Sequence, residues 1–320
     1  MTSTKTDWYI IVNPRAGSGK TMSLWVPAER KFHELGIEFT TAMTDHKRHA
    51  TMLAHEAALA GYRKFLAVGG DGSLHETLTG IARYCDESGT PSEDFTLGVM
   101  PIGSGNDWIK SLGVPNDLDA VSRLVAKGSF GQMDLVKVLG GGGKTSYMAN
   151  IGGTGFDSHV CSRVNFQKES GKRGKMIYLN ALLHTVRNLD AISLKVVADG
   201  KDVFEGKCYS IALGNGKFSG SGMRQVPNAT IDDGILDYMI VPKLPLGVIV
   251  SQIPKLFSGN VDKSGDVISG RCSELLIAPL DEPSEDIFEL DGEIEGRLPL
   301  SIRMDGRKIN VIKGSADTEV

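Results

Sequence analysis

Phe65-Leu66-Ala67-Val68-Gly69-Gly70-Asp71-Gly72-Ser73-Leu74-His75-Glu76 is the stretch that decides the fold of this chain. An apolar run ends in a glycine turn carrying one carboxylate, and a helix-like stretch begins at once. Glycines accept positive φ and let backbone come close to a bulky ligand. The helix start offers N–H groups to an anion. A lone carboxylate would repel phosphate unless a divalent cation lay between them, so the group suggests a magnesium nucleotide. The plain alternative is an ordinary β–α turn whose aspartate caps the helix.

Two further turns of this kind accompany it. Tyr9-Ile10-Ile11-Val12 leads into Asn13-Pro14-Arg15-Ala16-Gly17-Ser18-Gly19-Lys20, and Leu97-Gly98-Val99-Met100 leads into Pro101-Ile102-Gly103-Ser104-Gly105-Asn106-Asp107. Asn106 or Asp107 suits the cap of the helix that follows. Three polar, glycine-rich loops therefore leave the carboxyl ends of apolar strands, the edge at which open α/β sheets bind ligands. Gly19-Lys20-Thr21 imitates the end of a P-loop, but the first glycine of that pattern would fall on Pro14. Proline neither adopts the glycine's conformation nor donates an N–H, which excludes a P-loop NTPase.

Composition narrows the class further. A chain of 320 residues, 41% hydrophobic, is long enough for two domains with real cores. Its formal net charge of −4 argues against a nucleic-acid partner. Cys85, Cys161, Cys208 and Cys272 are scattered without a Cys-x-x-Cys spacing, so neither a zinc site nor a disulfide framework is indicated. The apolar run from Trp8 to Val12 is too short for the core of a signal peptide. No apolar stretch approaches the ~18 residues of a bilayer span. A cytoplasmic protein is expected.

The texture changes along the chain. Strands are expected near Tyr9–Val12, Glu38–Ala42, Phe65–Val68 and Leu97–Met100, with a helix over the alanine-rich stretch 49–58. Such β–α alternation implies a parallel sheet covered on both faces. After Met133 hairpins take over: Asp134–Val138 with Thr145–Ile151, and Ile192–Ala198 with Cys208–Leu213 through Asp199-Gly200. Strands at Ile235–Val241, Glu274–Ala278, Ile287–Leu290 and Leu300–Arg303 and a helix at Lys175–Leu189 complete the pattern. The expected fold class is α/β. Residues 1–132 form a doubly wound α/β nucleotide domain, and residues 133–303 an antiparallel β-sandwich-like domain. The segment from about 304 to 320 is expected to pack back on the first.

Asn13-Pro14 with Gly17, Gly69-Gly70-Asp71-Gly72 with Glu76, Gly103-Ser104-Gly105-Asn106-Asp107, Asp232-Asp233-Gly234 and Asp291-Gly292-Glu293 form an ordered set. From about residue 8 to 300 that set resembles the diacylglycerol kinase catalytic family, which includes bacterial soluble lipid kinases, sphingosine kinases and ceramide kinases. The resemblance implies ATP and Mg²⁺ as cofactors, with the nucleotide in a cleft between two domains. It implies phosphoryl transfer to the primary hydroxyl of a diacylglycerol-like lipid at a membrane surface. By position, it implies nucleotide contacts from Asn13, Pro14, Arg15, Ala16, Gly17, Gly70, Asp71, Gly72, Ser73, Leu74, His75 and Glu76, and also from Thr44 and Ser104. Asp71 is implied to reach the nucleotide's Mg²⁺ through water, and Glu293 to act as general base with Asp291 assisting. A structural magnesium is implied at the carboxylate of Asp233 and the carbonyls of Thr230 and Ile235.

Read as residues alone, Asp291-Gly292 is equally a favoured hairpin turn, and Asp232-Asp233-Gly234 equally a turn with no metal. Ser73, His75 and Ser104-Gly105 depart from the usual bacterial pattern toward the sphingosine kinase branch, which keeps a sphingoid base or ceramide as alternative substrates. NAD kinase shares the Gly-Gly-Asp-Gly turn. A catalytically inactive lipid-binding protein of this fold is the non-enzymatic alternative, disfavoured by the presence of Asp71, Glu76, Asp291 and Glu293. The basic stretch Lys168, Lys172, Arg173 and Lys175 is expected to dock peripherally on the anionic inner face of a membrane. A homodimer stays open.

Overall fold

The computed structural model describes residues 4–103, 105–169, 181, 184–185, 190–281 and 284–314. The chain divides into two compact units, Met1–Leu135 with Gly306–Val320, and Val136–Asp305.

In the first unit β1 (Lys5–Val12), β2 (Phe39–Met43), β3 (Tyr62–Gly69) and β4 (Thr96–Pro101) are all parallel. Their order is β4-β3-β1-β2. The end of the chain's last strand, Leu300–Ile312, adds Asn310 and Val311 in parallel beside β4. Phe65 to Val68 are each 0% exposed, the mark of a parallel strand covered on both faces. Helices Thr21–Glu34, His49–Leu59, Asp71–Ser88 and Leu118–Lys127 provide the cover. The alanine-rich face of His49–Leu59 permits a very close crossing, since a Cβ on Gly80 of the neighbouring helix would lie 2.4 Å from the Thr51 carbonyl. Because β2 lies on one side of β1 and β3 on the other, the winding reverses between β1 and β3. The loops leaving those two strands flank the switch point.

The second unit is antiparallel. It begins in β5 (Phe130–Gly140), whose residues from Val136 onward pair with β6 (Thr145–Met148). It continues through β7 (Ile151–Gly155), β8 (Ile192–Ala198) and β9 (Lys201–Gly214), with a small hairpin of β10 (Phe218–Ser219) and β11 (Met223–Arg224). Then follow β12 (Leu236–Pro242), β13 (Ile268–Cys272), β14 (Glu274–Pro279), β15 (Ile287–Leu290), β16 (Glu293–Arg297) and β17, the Leu300–Ile312 strand. The strands run in the order β16-β15-β7-β9-β8-β14-β17, with β12 joining β9 to β13. Along β8 the residues Ile192, Leu194, Val196 and Ala198 are buried and those between are not, the period of two that builds a one-sided core.

Several elements of the second unit were not expected from the sequence, among them the separate strand β7, the β10–β11 hairpin, β13, β16 and the helices Phe156–Glu169 and Leu246–Ser258. The strand that includes Leu300–Arg303 also runs on past Arg303, through Gly306 at φ +82, to Ile312. The expected helix Lys175–Leu189 lies almost wholly outside the described residues, as does the basic patch at Lys172, Arg173 and Lys175. No helix among the described residues is long and apolar enough to cross a membrane.

Candidate active site

Four loops leave the carboxyl ends of β1 to β4 on one edge of the first unit. The loop after β1 takes three successive left-handed residues, Gly17 (φ +55), Ser18 (φ +61) and Gly19 (φ +79). A Cβ on Gly17 would lie 2.7 Å from the carbonyl of Ile102, and one on Gly103 would lie 2.7 Å from the Cα of Gly70. The three glycine-rich loops thus touch backbone to backbone. Side chains tie them as well: Asn13 Nδ2 donates to Ser73 Oγ at 3.2 Å, and Asn13 Oδ1 accepts the N–H of Arg15 at 3.0 Å. The cluster joins Asn13 to Gly17, Gly70 to Ser73, Gly103 and Gly105 to Asp107. Ser104 lies outside the described residues.

Asp71 occupies the first turn of its own helix, yet its carboxylate serves another. It accepts the N–H of Asp107 (3.2 Å) and of Trp108 (3.2 Å), the opening amides of helix Asp107–Ser111. The sequence alternative has this aspartate cap the helix it begins; the amides it accepts here open a helix 36 residues away. Each carboxylate oxygen accepts more than one bond, so this arrangement still fits a water-bridged cation. Glu76 behaves likewise, accepting the N–H of Arg48 (2.9 Å) and of Ala50 (3.2 Å) and so holding the segment that follows Thr44. Leu74 and His75 are 1% and 3% exposed, so their side chains belong to the packed interior.

In the second unit Asp291 (φ +52) and Gly292 (φ +85) make the two-residue turn between β15 and β16. Asp291 is buried, and its oxygens accept the N–H groups of Ala149 (2.9 Å) and Asn150 (2.8 Å). Glu289 Oε2 accepts the N–H of Gly292 at 2.8 Å, and Cys161 Sγ donates to its carbonyl at 3.0 Å. The turn is thereby fixed from both sides, and Glu293, half-buried, is the first residue beyond it. Sequence reasoning missed Asn150 and Asn215, which complete this frame. The side chain of Asn150 donates to the Phe218 carbonyl (2.7 Å), and that of Asn215 to the Ala149 carbonyl (3.1 Å). Their signal was the repeated pairing of asparagine with glycine, in Asn150-Ile151-Gly152-Gly153 and Gly214-Asn215-Gly216.

The turn at Thr230, Asp233 and Ile235 fits a metal poorly. Asp233 Oδ1 accepts the N–H of Ile235 at 3.2 Å, and its Oδ2 is ion-paired with Arg271 Nη2. Arg271 Nε also reaches Asp237 Oδ2 at 3.4 Å. Burial raises the pKa of Asp237, and the guanidinium opposes that shift. The charge a cation would neutralise therefore already faces one. Asp233, Asp237 and Arg271 border a cavity of about 340 Å³.

Comparison with known proteins agrees with both units. A family model described as "Diacylglycerol kinase catalytic domain" matches residues 7–138, and one described as "YegS C-terminal NAD kinase beta sandwich-like domain" matches residues 150–313. The chain belongs to this family of diacylglycerol and YegS-like lipid kinases. A "Probable lipid kinase YegS-like" of Xanthomonas oryzae pv. oryzae (strain KACC10331 / KXO85) is 30% identical over 258 residues, 79% of each chain. The diacylglycerol kinase of Staphylococcus aureus (strain bovine RF122 / ET3-1) is 27% identical over 305 residues, 94% of this chain and 90% of its own. A crystal structure of a diacylglycerol kinase from Bacillus anthracis str. Sterne superposes with a TM-score of 0.73 at 24% identity, covering 97% of this chain and 98% of that one. That last likeness shows the fold. As a member of the family the protein is a kinase, a phosphoryl transferase with an N-terminal catalytic domain and a C-terminal β-sandwich-like domain.

Proposed function

We propose that this kinase transfers the γ-phosphoryl group of Mg-ATP to the primary hydroxyl of a diacylglycerol-like lipid. The observation that carries the reading is the loop cluster at the switch point of the parallel sheet, with Asp71 fixed inside it by two amides. Phosphoryl transfer is mostly positioning and charge neutralisation, and glycine loops at strand ends supply both. Asn13 to Gly17 and Gly70 to Ser73 take the phosphates, with Thr44 after the second strand, and Ser104 is the further nucleotide contact that the family resemblance implies. Leu74 and His75 contribute through their main chain. Glu76 acts by holding the loop after Thr44. Mg²⁺, held through Asp71, would neutralise the transferring group. Glu293 takes the proton of the lipid hydroxyl, and Asp291 orients it by anchoring the turn. The substrate class follows the names of the Staphylococcus aureus and Bacillus subtilis relatives, both diacylglycerol kinases.

The test pairs a substrate panel with two variants. Labelled γ-phosphate is offered with Mg²⁺ to diacylglycerol, ceramide, sphingosine and NAD, and transfer to diacylglycerol is expected. Transfer only to NAD, or to none of the four despite bound ATP, overturns the lipid reading. Glu293→Gln is expected to keep its ATP affinity by calorimetry while losing roughly 10²- to 10⁴-fold in rate. Asp71→Asn is expected to weaken both. A Glu293→Gln enzyme within about threefold of wild type would remove Glu293 as the base.

A further inference from the structure

The helix Leu246–Ser258 presents an apolar face to solvent. Its sequence, Leu-Gly-Val-Ile-Val-Ser-Gln-Ile-Pro-Lys-Leu-Phe-Ser, contains one charge. At 3.6 residues per turn Gly247, Val250, Ser251, Pro254, Phe257 and Ser258 share one face, and all six are exposed. Val250 is 48% and Phe257 55% exposed. The buried position on the opposite face is polar: Gln252, 5% exposed, donates from Nε2 to Asp266 Oδ2 at 2.7 Å. A surface helix in water normally shows charged residues outward and apolar ones inward. Here the outward face carries no charge, and its two largest members are a valine and a phenylalanine in one row, seven residues apart.

The segment that carries that face is basic. From Lys243 to Val261 the chain holds two lysines, Lys243 and Lys255, and no acid. Lys243 is exposed, and Lys255 sits at the edge of the apolar face. Arg224, exposed, lies beside Gly259 at the helix end, where a Cβ would meet its Cδ at 2.8 Å. The nearest following acids are already engaged, Asp262 with Asn228 (2.9 Å) and Asp266 with Gln252 on the opposite side of the helix. An exposed valine and phenylalanine on a segment with no acid from 243 to 261, with Lys255 at the edge of the face and Arg224 at the helix end, are complementary to an anionic bilayer: the apolar row enters the acyl boundary and the cations meet the headgroups.

We infer that the Leu246–Ser258 helix is the surface by which the enzyme docks on anionic membrane, Val250 and Phe257 inserting and Lys243, Lys255 and Arg224 meeting phosphate headgroups. The inference deepens the lipid kinase reading and rests on it for the choice of a bilayer over a second copy of the chain. The test separates the two. Binding is measured by co-sedimentation with vesicles of phosphatidylglycerol and phosphatidylcholine, without ATP or diacylglycerol. Transfer is measured separately on detergent-dispersed diacylglycerol. The paired substitution Val250→Glu with Phe257→Glu should reduce vesicle binding at least tenfold and leave transfer in detergent unchanged. Wild-type binding should fall with added salt and on vesicles of phosphatidylcholine alone. Both positions are exposed, so an unchanged melting curve is expected and guards against misfolding as the cause. Equal binding by the variant, or no binding by wild type, overturns the docking surface even if transfer to lipid is intact. A wild-type dimer that the paired substitution converts to monomer by sedimentation, with no change on vesicles, overturns it in favour of a contact between copies. Loss of vesicle binding in the variant, beside wild-type protein that phosphorylates no lipid, keeps the surface and removes the lipid kinase reading.

Discussion

One device recurs at the residue scale: a carboxylate that collects two backbone N–H groups from a distant segment. Asp71 does this for Asp107 and Trp108, Glu76 for Arg48 and Ala50, Asp291 for Ala149 and Asn150, and Asp199 for Ser273 and Glu274. Such charge-assisted bonds are stronger than neutral ones, and each satisfies two amides that open a helix or turn. Asp157 departs from the device. Its oxygens accept from two side chains instead, Ser210 Oγ at 2.5 Å and Gln225 Nε2 at 2.6 Å. Burial raises its pKa above the ordinary 3.8, and the two hydrogen bonds offset only part of that. A raised folded pKa favours the protonated form. The stability contributed by this group is therefore greatest below the ordinary value and is lost as pH climbs through the folded one. Asp157→Asn keeps the shape, can donate to Ser210 and accept from Gln225, and never carries the charge. We expect the variant to melt above wild type at neutral pH, with the difference closing as pH falls into the ordinary carboxylate range. Melting curves across that range check it, and a variant less stable than wild type at neutral pH would mean that the charge is held favourably.

At the scale of elements, the turns separate what sequence could and could not reveal. The strand, glycine turn and helix start around Asp71 were legible because their pattern is local. So was the Asp291-Gly292 hairpin, where an Asp-Gly pair carries the two positive φ values that such a turn demands. The amides those carboxylates would collect were not legible, since Asp291 and Asn150 stand 141 residues apart. The helix Leu246–Ser258 escaped for another reason: apolar residues stand on its exposed side (Val250, Phe257) as well as its half-buried one (Ile249, Leu256), and a polar Gln252 is buried, so it lacks the alternation that marks a helix of a water-soluble surface. The turn at Asp233 shows the same limit, because nothing local names Arg271 as its partner. That pairing makes a sharp case. With the carboxylate already facing a guanidinium, chelation of Mg²⁺ should leave the melting temperature of the wild-type protein unchanged. Arg271→Met leaves Asp233 and the buried Asp237 without their cation and should cost roughly 1–2 kcal/mol, less than a fully buried pair because this one is half exposed. Added Mg²⁺ should then restore part of the loss. Earlier melting of wild type on chelation would instead mean that a metal holds this turn in spite of Arg271.

For the whole molecule, the decisive feature is that the first unit is closed by the chain's last strand. Strand β17 belongs to the second unit up to Asp305 and to the first from Gly306. Beyond that point Ile309, Val311 and Ile312 are at most 2% exposed. Ser92 Oγ donates to the Lys308 carbonyl (2.7 Å), Asn310 Nδ2 to that of Glu93 (2.5 Å), and Gly314 N–H to that of Leu112 (3.0 Å). Gly314 packs so tightly that a Cβ there would lie 1.7 Å from the Gly113 carbonyl. Three fully buried aliphatic side chains contribute roughly 4–9 kcal/mol, comparable to the ~5–15 kcal/mol that holds a domain folded. A chain ending at Asp305 should therefore lose the first unit and keep the second. Native thiols report the two separately. Cys85 lies in the first unit with its pKa pushed up to about 11, and Cys208 and Cys272 lie in the second with theirs at about 12, all three by burial. Buried thiols with so little thiolate react slowly until their surroundings open. In the intact protein all three should resist a thiol reagent in the absence of denaturant. In the shortened chain Cys85 should react at once while Cys208 and Cys272 stay protected until the second unit unfolds. If Cys85 stays as protected in the shortened chain as in the intact one, the first unit stands without its borrowed strand.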